Sequence, residues 1–81
     1  MKIFIQRLST NERAIKMHSP DPDALLHCRN LLKRIIPSYL RRYDRSLRCW
    51  VVSEIAHADM HHFLCFAEAF IPAEVHRRLA A

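Results

Sequence analysis

Cationic and aromatic side chains are concentrated in residues 32–52 of this 81-residue chain. Six cations fall within sixteen consecutive residues there, and the segment also contains the chain's one Trp and both of its Tyr residues. Lysine and arginine neutralise phosphates and aromatic rings stack on bases, so this composition is typical of a surface that binds nucleic acid. The candidate binding residues are Lys33, Arg34, Tyr39, Arg41, Arg42, Arg45 and Arg48.

The same segment also has a purely structural interpretation. Tyr43 and Trp50 can pack against each other and seat a β-hairpin on the preceding helix, which is a common use of an aromatic pair. Asp44 can accept hydrogen bonds from the backbone amides that follow it and so form the turn. In that case the arginines are a solvated face that keeps the protein soluble.

A second group of reactive side chains, His57, His61 and Cys65, follows at four-residue steps. On a helix these side chains line one side, and neighbouring pairs are placed to share a metal ion. All three span about 12 Å at 1.5 Å per residue, too far for one ion, and no Cys-x-x-Cys supplies further ligands. We therefore expect a polar helix face without a metal, and metal binding by these three residues is an alternative.

Catalytic machinery is not evident from the residue types. Cys65 and His61 are residue types that can act as a nucleophile and its general base. The segment, however, offers no third group to orient the histidine. The chain contains no glycine, which excludes the glycine-rich loops that cradle nucleotide phosphates. Cys28 and Cys49 are expected to be small core residues. We expect neither an enzyme nor a cofactor.

Hydrophobic spacing and turn residues predict the elements that position these side chains. Asp21 and Pro22 are typical of a helix start, and Pro37 ends the apolar stripe that follows. The predicted elements are strands at 2–8 and 13–18, a helix from 22 to 36, strands at 39–43 and 48–52, a helix from about 55 to 70 and a short basic helix at 72–81. The fold class is α+β in the order ββαββα, a small antiparallel sheet with two helices on one face.

Length and composition limit the possible classes of protein. The chain is expected to form a single domain, 1–81, with a core at 1–71 and a basic tail at 72–81. Its 51% hydrophobic content favours a folded globule, and its net charge of +5 attracts anionic partners. No apolar run is long enough to span a membrane, and three cysteines at unrelated spacings fit reduced thiols. We expect a cytoplasmic protein without a membrane partner.

The segment from the first helix to the hairpin resembles the HARP-type accessory domain of annealing helicases and related small phage and plasmid proteins. About half of the chain takes part, with residues 24–31 as the preceding helix. The matching positions are Leu32, Lys33, Ile36, Pro37, Arg41 or Arg42, Tyr43, Asp44, Arg48, Trp50 and Val52. The resemblance implies a compact α+β module that helps to engage DNA structures or DNA-bound protein, with the motor lying elsewhere.

These observations favour a small non-enzymatic binding protein, of phage or mobile-element type, that acts on a nucleic-acid-processing machine. Its partner would be nucleic acid or a nucleic-acid-bound protein complex, contacted through the basic aromatic hairpin. An alternative is a protein inhibitor similar in character to anti-CRISPR proteins, which blocks a nuclease or surveillance complex by docking on it. Both alternatives stay open because a basic patch attracts nucleic acid and acidic protein surfaces alike.

Overall fold

Seven helices and strands form the described part of the computed structural model, residues 1–70 and 74–78. They are strand β1 (Lys2–Arg7), strand β2 (Glu12–His18), helix α1 (Pro22–Ile35), strand β3 (Arg41–Asp44), strand β4 (Cys49–Ser53), helix α2 (His57–Phe70) and strand β5 (Glu74–Arg78). Short 3₁₀ turns at Ser38–Leu40 and Glu54–Ala56 precede β3 and α2.

The strands form one five-stranded sheet in the order β3-β4-β2-β1-β5. The first four in chain order pair antiparallel, as predicted, whereas β5 lies parallel to β1 and makes the sheet mixed. β3 begins two residues later than expected because the backbone N–H of Leu40 bonds to the Pro37 carbonyl at 3.0 Å and closes a turn there.

Local interactions explain the limits of α1, which begins where predicted and ends one residue earlier. The Asp21 side chain accepts a hydrogen bond from the Asp23 N–H at 3.0 Å, and Pro22 occupies the first helical position, where its missing N–H costs nothing. At the other end the Ile36 N–H still reaches the Leu32 carbonyl at 2.9 Å, but Ile36 itself is extended, as expected before a proline.

Both helices pack on the same face of the sheet, which confirms the predicted α+β layering. Strand alternation points Ile3, Ile5, Ile15, Trp50 and Val52 toward the helices. The helical residues that join them in one core are Cys28, Leu32, Ile36, Ala56, Met60, Phe63, Leu64 and Ala67. No described helix covers the opposite face of the sheet, where strand residues alone form a small buried cluster.

The predicted helix at 72–81 is wrong for Glu74–Arg78, which forms β5. In the register with β1, Val75 lies opposite Ile3 and packs against the main core. The outer edge of β1 offers unpaired backbone groups beside buried side chains, and a β-branched valine suits that position better than a helix turn. Positions 72–73 and 79–81 lie outside the described residues. Among the described helices none is long and apolar enough to cross a membrane.

Leu32→Ala should destabilise the fold by about 2–5 kcal/mol, because Leu32 is fully buried between α1 and the sheet and its removal leaves a cavity. Leu26→Ala is the matched control on the same helix, since Leu26 is 56% exposed, and it should change the free energy of unfolding by less than about 1 kcal/mol. Urea denaturation of the two variants measures the difference, and equal losses would contradict the assigned burial.

Candidate nucleic-acid interface

Asp44 forms the turn of the β3–β4 hairpin, as the sequence predicted. Its carboxylate accepts a hydrogen bond from the Leu47 N–H at 3.0 Å and one from the Arg42 guanidinium at 3.3 Å. The bond from the Leu47 backbone, followed by the contact with Arg42, lowers the pKa of Asp44 below its usual value. The ionised carboxylate therefore belongs to the folded turn.

Trp50 joins the hairpin to α1. Its side chain is only 9% exposed, and the Tyr43 ring meets it edge-on at 5.3 Å between ring centroids. Two cations lie over the indole, with the Lys33 Nζ at 5.8 Å and the Arg41 Cζ at 5.7 Å from its centroid. The predicted aromatic pair is thus present and is in contact with the helix that precedes it.

Arg41 also binds the end of α1 directly. Its Nε donates to the Ile36 carbonyl at 2.9 Å, and a terminal guanidinium nitrogen donates to the Lys33 carbonyl at 3.4 Å. The Lys33 carbonyl belongs to the last turn of the helix and the Ile36 carbonyl to the residue that caps it, a region where carbonyls lack partners within the helix and attract positive charge. Arg41 is therefore engaged in holding the hairpin against α1.

The predicted cations differ in how much of their charge the fold already uses. Arg42 contacts Asp44 at 3.3 Å and Glu12 at 3.5 Å, so two carboxylates share its charge. In contrast Arg34, Arg45 and Arg48 are exposed and form no ion pair with any described residue. These exposed arginines retain their full charge for a partner.

A notch opens in the sheet where β4 separates from β2. The pairing of these strands ends at Ile15 opposite Trp50, but β2 continues to His18 while the chain turns away through residues 45–48. The resulting space, which we name the notch, has a volume of about 270 Å³. Its lining residues are Ile15, Lys16, Met17, His18, Leu25, Arg29, Tyr43, Arg48, Cys49 and Trp50.

Three cations from three separate elements line the notch together with Tyr43. Lys16 comes from β2, Arg29 from α1 and Arg48 from the hairpin turn, and no described lining residue is acidic. Arg48 and Tyr43 belong to the basic aromatic segment, residues 32–52, whereas the sequence did not indicate Lys16 and Arg29 as binding residues. The available signals were weak: Arg29 is four residues after Leu25 on α1, and Lys16 lies on the solvated side of an alternating strand.

Arg48 adopts a left-handed backbone conformation, with φ at 53°. For a residue with a Cβ this backbone conformation costs roughly 1–2 kcal/mol, whereas glycine adopts it freely. No other described residue has a positive φ. The turn therefore places an arginine where local backbone energetics favour a residue without a side chain.

Tyr39, predicted as an exposed stacking ring, lies away from the notch. It is 83% exposed in the turn before β3, and because Arg41 pairs with Val52 this turn lies at the opposite end of the hairpin from Arg48. Ile55, which follows β4, is 84% exposed at that same end. Tyr39 is consequently not part of the surface that Arg48 and Tyr43 form.

The histidine side of α2 places two of its predicted ligands together. The Cys65 Sγ lies 3.7 Å from the His61 Nε2, whereas the His57 Nδ1 lies 3.7 Å from the Glu54 carboxylate, which also pairs with Arg13. Among the described residues, no group of three or more His, Cys, Asp or Glu side chains is placed to hold a metal ion. His61 and Cys65 can supply only two ligands from this helix.

The three cysteines are reduced and differ in environment. Cys28 and Cys49 are buried, as predicted, and Cys65 is exposed. Burial raises the pKa of the Cys28 thiol to about 11, and burial followed by the nearby Asp44 charge raises the pKa of Cys49. Cys28 and Cys49 are therefore protonated packing residues at neutral pH.

Known proteins give no indication of the function of this chain, so the geometry of the site is the basis for a proposal. No family model, curated protein or solved structure matches the chain. The resemblance to the HARP-type domain stays a prediction.

Asp44→Asn should lower the urea midpoint at neutral pH, because the amide accepts the turn hydrogen bonds less strongly than the carboxylate. The lowered pKa of Asp44 means that its contribution is present above the unfolded pKa of about 4 and disappears as the pH falls through the folded value. The stability difference between wild type and variant should therefore shrink on acidification. A difference that stays constant from neutral to acidic pH would contradict this assignment.

Arg48→Gly should raise the free energy of unfolding by about 1 kcal/mol, since glycine relieves the left-handed backbone of this position. Arg45→Gly, in the same turn but without a positive φ, should lower it, because glycine adds only unfolded-state entropy there. Thermal and urea denaturation measure both variants. A loss of stability on Arg48→Gly would show that the side chain itself supports the turn.

Proposed function

We propose that this protein is a small non-catalytic binding protein whose notch holds a phosphate-bearing strand of nucleic acid, either free or within a nucleic-acid-processing complex. The observation that carries the proposal is that Lys16, Arg29 and Arg48 line the same cavity as Tyr43, without an acidic residue among the described lining. Cations on three elements surround a concave space, a shape that a phosphate chain can enter and a flat solubilising surface does not provide.

The charges at the notch are available because the fold does not neutralise them. Lys16, Arg29 and Arg48 are exposed, and none forms an ion pair with a described residue. A phosphate that binds there releases condensed counterions, which is the main source of affinity in sequence-independent binding. The net charge of +5 adds long-range attraction and raises the association rate.

The backbone of Arg48 also supports a binding role. Residues in left-handed conformations cluster at functional sites, because selection for activity tolerates a local cost in stability. The left-handed turn places Arg48 in the lining of the notch beside Tyr43. An arginine offers five donors in a planar fork that matches phosphate geometry, so its presence at this strained position has a chemical reason.

A second candidate function is docking on a protein, as an adaptor or as an inhibitor of the anti-CRISPR kind. Tyr39 and Ile55, 83% and 84% exposed, lie at the end of the hairpin away from the notch. Tyrosine is a common anchor at the centre of protein interfaces, and Ile55 extends the exposed apolar surface beside it. This surface does not require nucleic acid, so a complex formed through it should survive nuclease and moderate salt.

Fluorescence anisotropy with labelled 12-nucleotide DNA and RNA tests the main proposal. We expect binding whose logarithmic salt dependence has a slope of about −2, from about −0.7 per phosphate neutralised by the three cations. Arg29→Glu and Arg48→Glu should each weaken binding by more than roughly tenfold and flatten the slope. Arg7→Glu, the same charge change at an exposed position outside the notch, is the matched control and should cost much less.

Three results would contradict the proposal. They are the absence of oligonucleotide binding at low salt, an Arg7→Glu effect as large as that of Arg29→Glu, and binding by Arg48→Gly as tight as that of wild type. A nuclease-resistant protein complex that Tyr39→Ala abolishes, together with no oligonucleotide binding, would instead establish the docking candidate.

A further inference from the structure

Three rings from three neighbouring strands lie together on the sheet face that no described helix covers. Phe4 of β1 stacks on His76 of β5, with centroids 5.0 Å apart and an interplanar angle of 19°. On its other side Phe4 meets His18 of β2 edge-on at 5.7 Å. A phenylalanine on the solvent side of a sheet is unusual in a simple solvated face, where alternation favours polar residues.

The ring cluster borders a depression that shares lining residues with the notch. The depression has a volume of about 350 Å³ and is lined by Phe4, Gln6, Leu8, Ala14, Lys16, His18, Leu47 and Cys49. Lys16, His18 and Cys49 also line the notch. Lys16 thus lies between the part of the notch lined by Arg29 and Arg48 and the depression lined by Phe4.

The charges on this face favour an anionic occupant. Lys2 and Lys16 are exposed, project from the same face as Phe4, and form no ion pair with any described residue. The two carboxylates that project from this face on β2 and β3, Glu12 and Asp44, both contact Arg42. Lys16 therefore carries positive charge next to the rings that no described carboxylate pairs with, whereas Lys2 lies opposite Glu74 in the β1–β5 register.

We propose that the occupant of the notch is single-stranded nucleic acid, and that it continues across the open sheet face with bases against the Phe4, His18 and His76 rings and phosphates at Lys16 and Lys2. This inference rests on the proposed function and extends it. Stacking on protein rings needs bases whose faces are unoccupied, and a duplex keeps its base faces stacked on one another. The combination of cations and rings on one surface therefore selects a single strand over a duplex.

Binding of single-stranded and duplex oligonucleotides of the same sequence to matched variants tests the inference. Phe4→Leu, which keeps an apolar side chain but removes the ring, should weaken single-strand binding by roughly tenfold. Phe66→Leu on α2, the same substitution in the helical layer, should leave affinity unchanged, and thermal denaturation of both shows that they fold. Titration of the ¹⁵N-labelled protein should shift the amide resonances of Phe4, Gln6 and Lys16 together with those of Arg29 and Arg48.

The outcomes separate this inference from the proposed function. Weakening by Phe4→Leu and by Lys16→Glu, with amide shifts on both surfaces and a clear preference for the single strand, supports it. Sensitivity to Arg29→Glu without sensitivity to Phe4→Leu, or equal binding of the duplex, overturns it and leaves the notch as a phosphate site. A dimer in light scattering that Phe4→Leu dissociates also overturns it, because a second copy then covers the face. Absence of any oligonucleotide binding overturns both proposals.

Discussion

The contact of Arg41 with Trp50 and the end of α1 is the interaction on which the candidate interface depends. Arg41 donates to the carbonyl of Lys33 in the last helical turn and to that of Ile36 just after it while lying 5.7 Å from the indole centroid, so one side chain joins helix, hairpin and core. This junction holds the hairpin against α1, while the pairing of β4 with β2 fixes its position in the sheet. The notch exists because the hairpin, held there, turns away from β2 before that strand ends.

A sheet covered on one face only determines which surfaces remain for a partner. Both helices fill the side that carries Ile3, Ile5 and Ile15, and they leave Phe4 and Lys16 on the other. On the uncovered face Ala14, Cys49 and Val51 are nevertheless buried, although no described helix packs there. A small domain can therefore present a shaped aromatic surface while its main core lies on the other side of the sheet.

The features that depend on residues close together in the sequence were predicted correctly. Asp21 and Pro22 began α1, Pro37 followed its end, Asp44 formed its turn, and the alternation of Ile15 and Met17 with Lys16 and His18 oriented β2. The parallel pairing of β5 with β1 was not predictable in this way, because it joins segments about seventy residues apart and depends on the open edge of β1. The notch was missed for the same reason, since Arg29 and Lys16 meet Arg48 only through tertiary structure.

The division of charge explains why a dense arginine segment yields only part of the candidate interface. Several arginines already have partners within the fold. Arg13 pairs with Glu54 at 2.9 Å, Arg42 pairs with two carboxylates, and Arg41 donates to backbone carbonyls at the end of α1. A cation that already has a partner gains little from a phosphate, because it must give up one interaction to form the other. Binding affinity therefore depends on the cations that remain, and Lys16, Arg29 and Arg48 are those that the structure places around one concave space. A count of arginines along the chain therefore overestimates the contribution of the hairpin to the candidate interface and underestimates the contributions of β2 and α1.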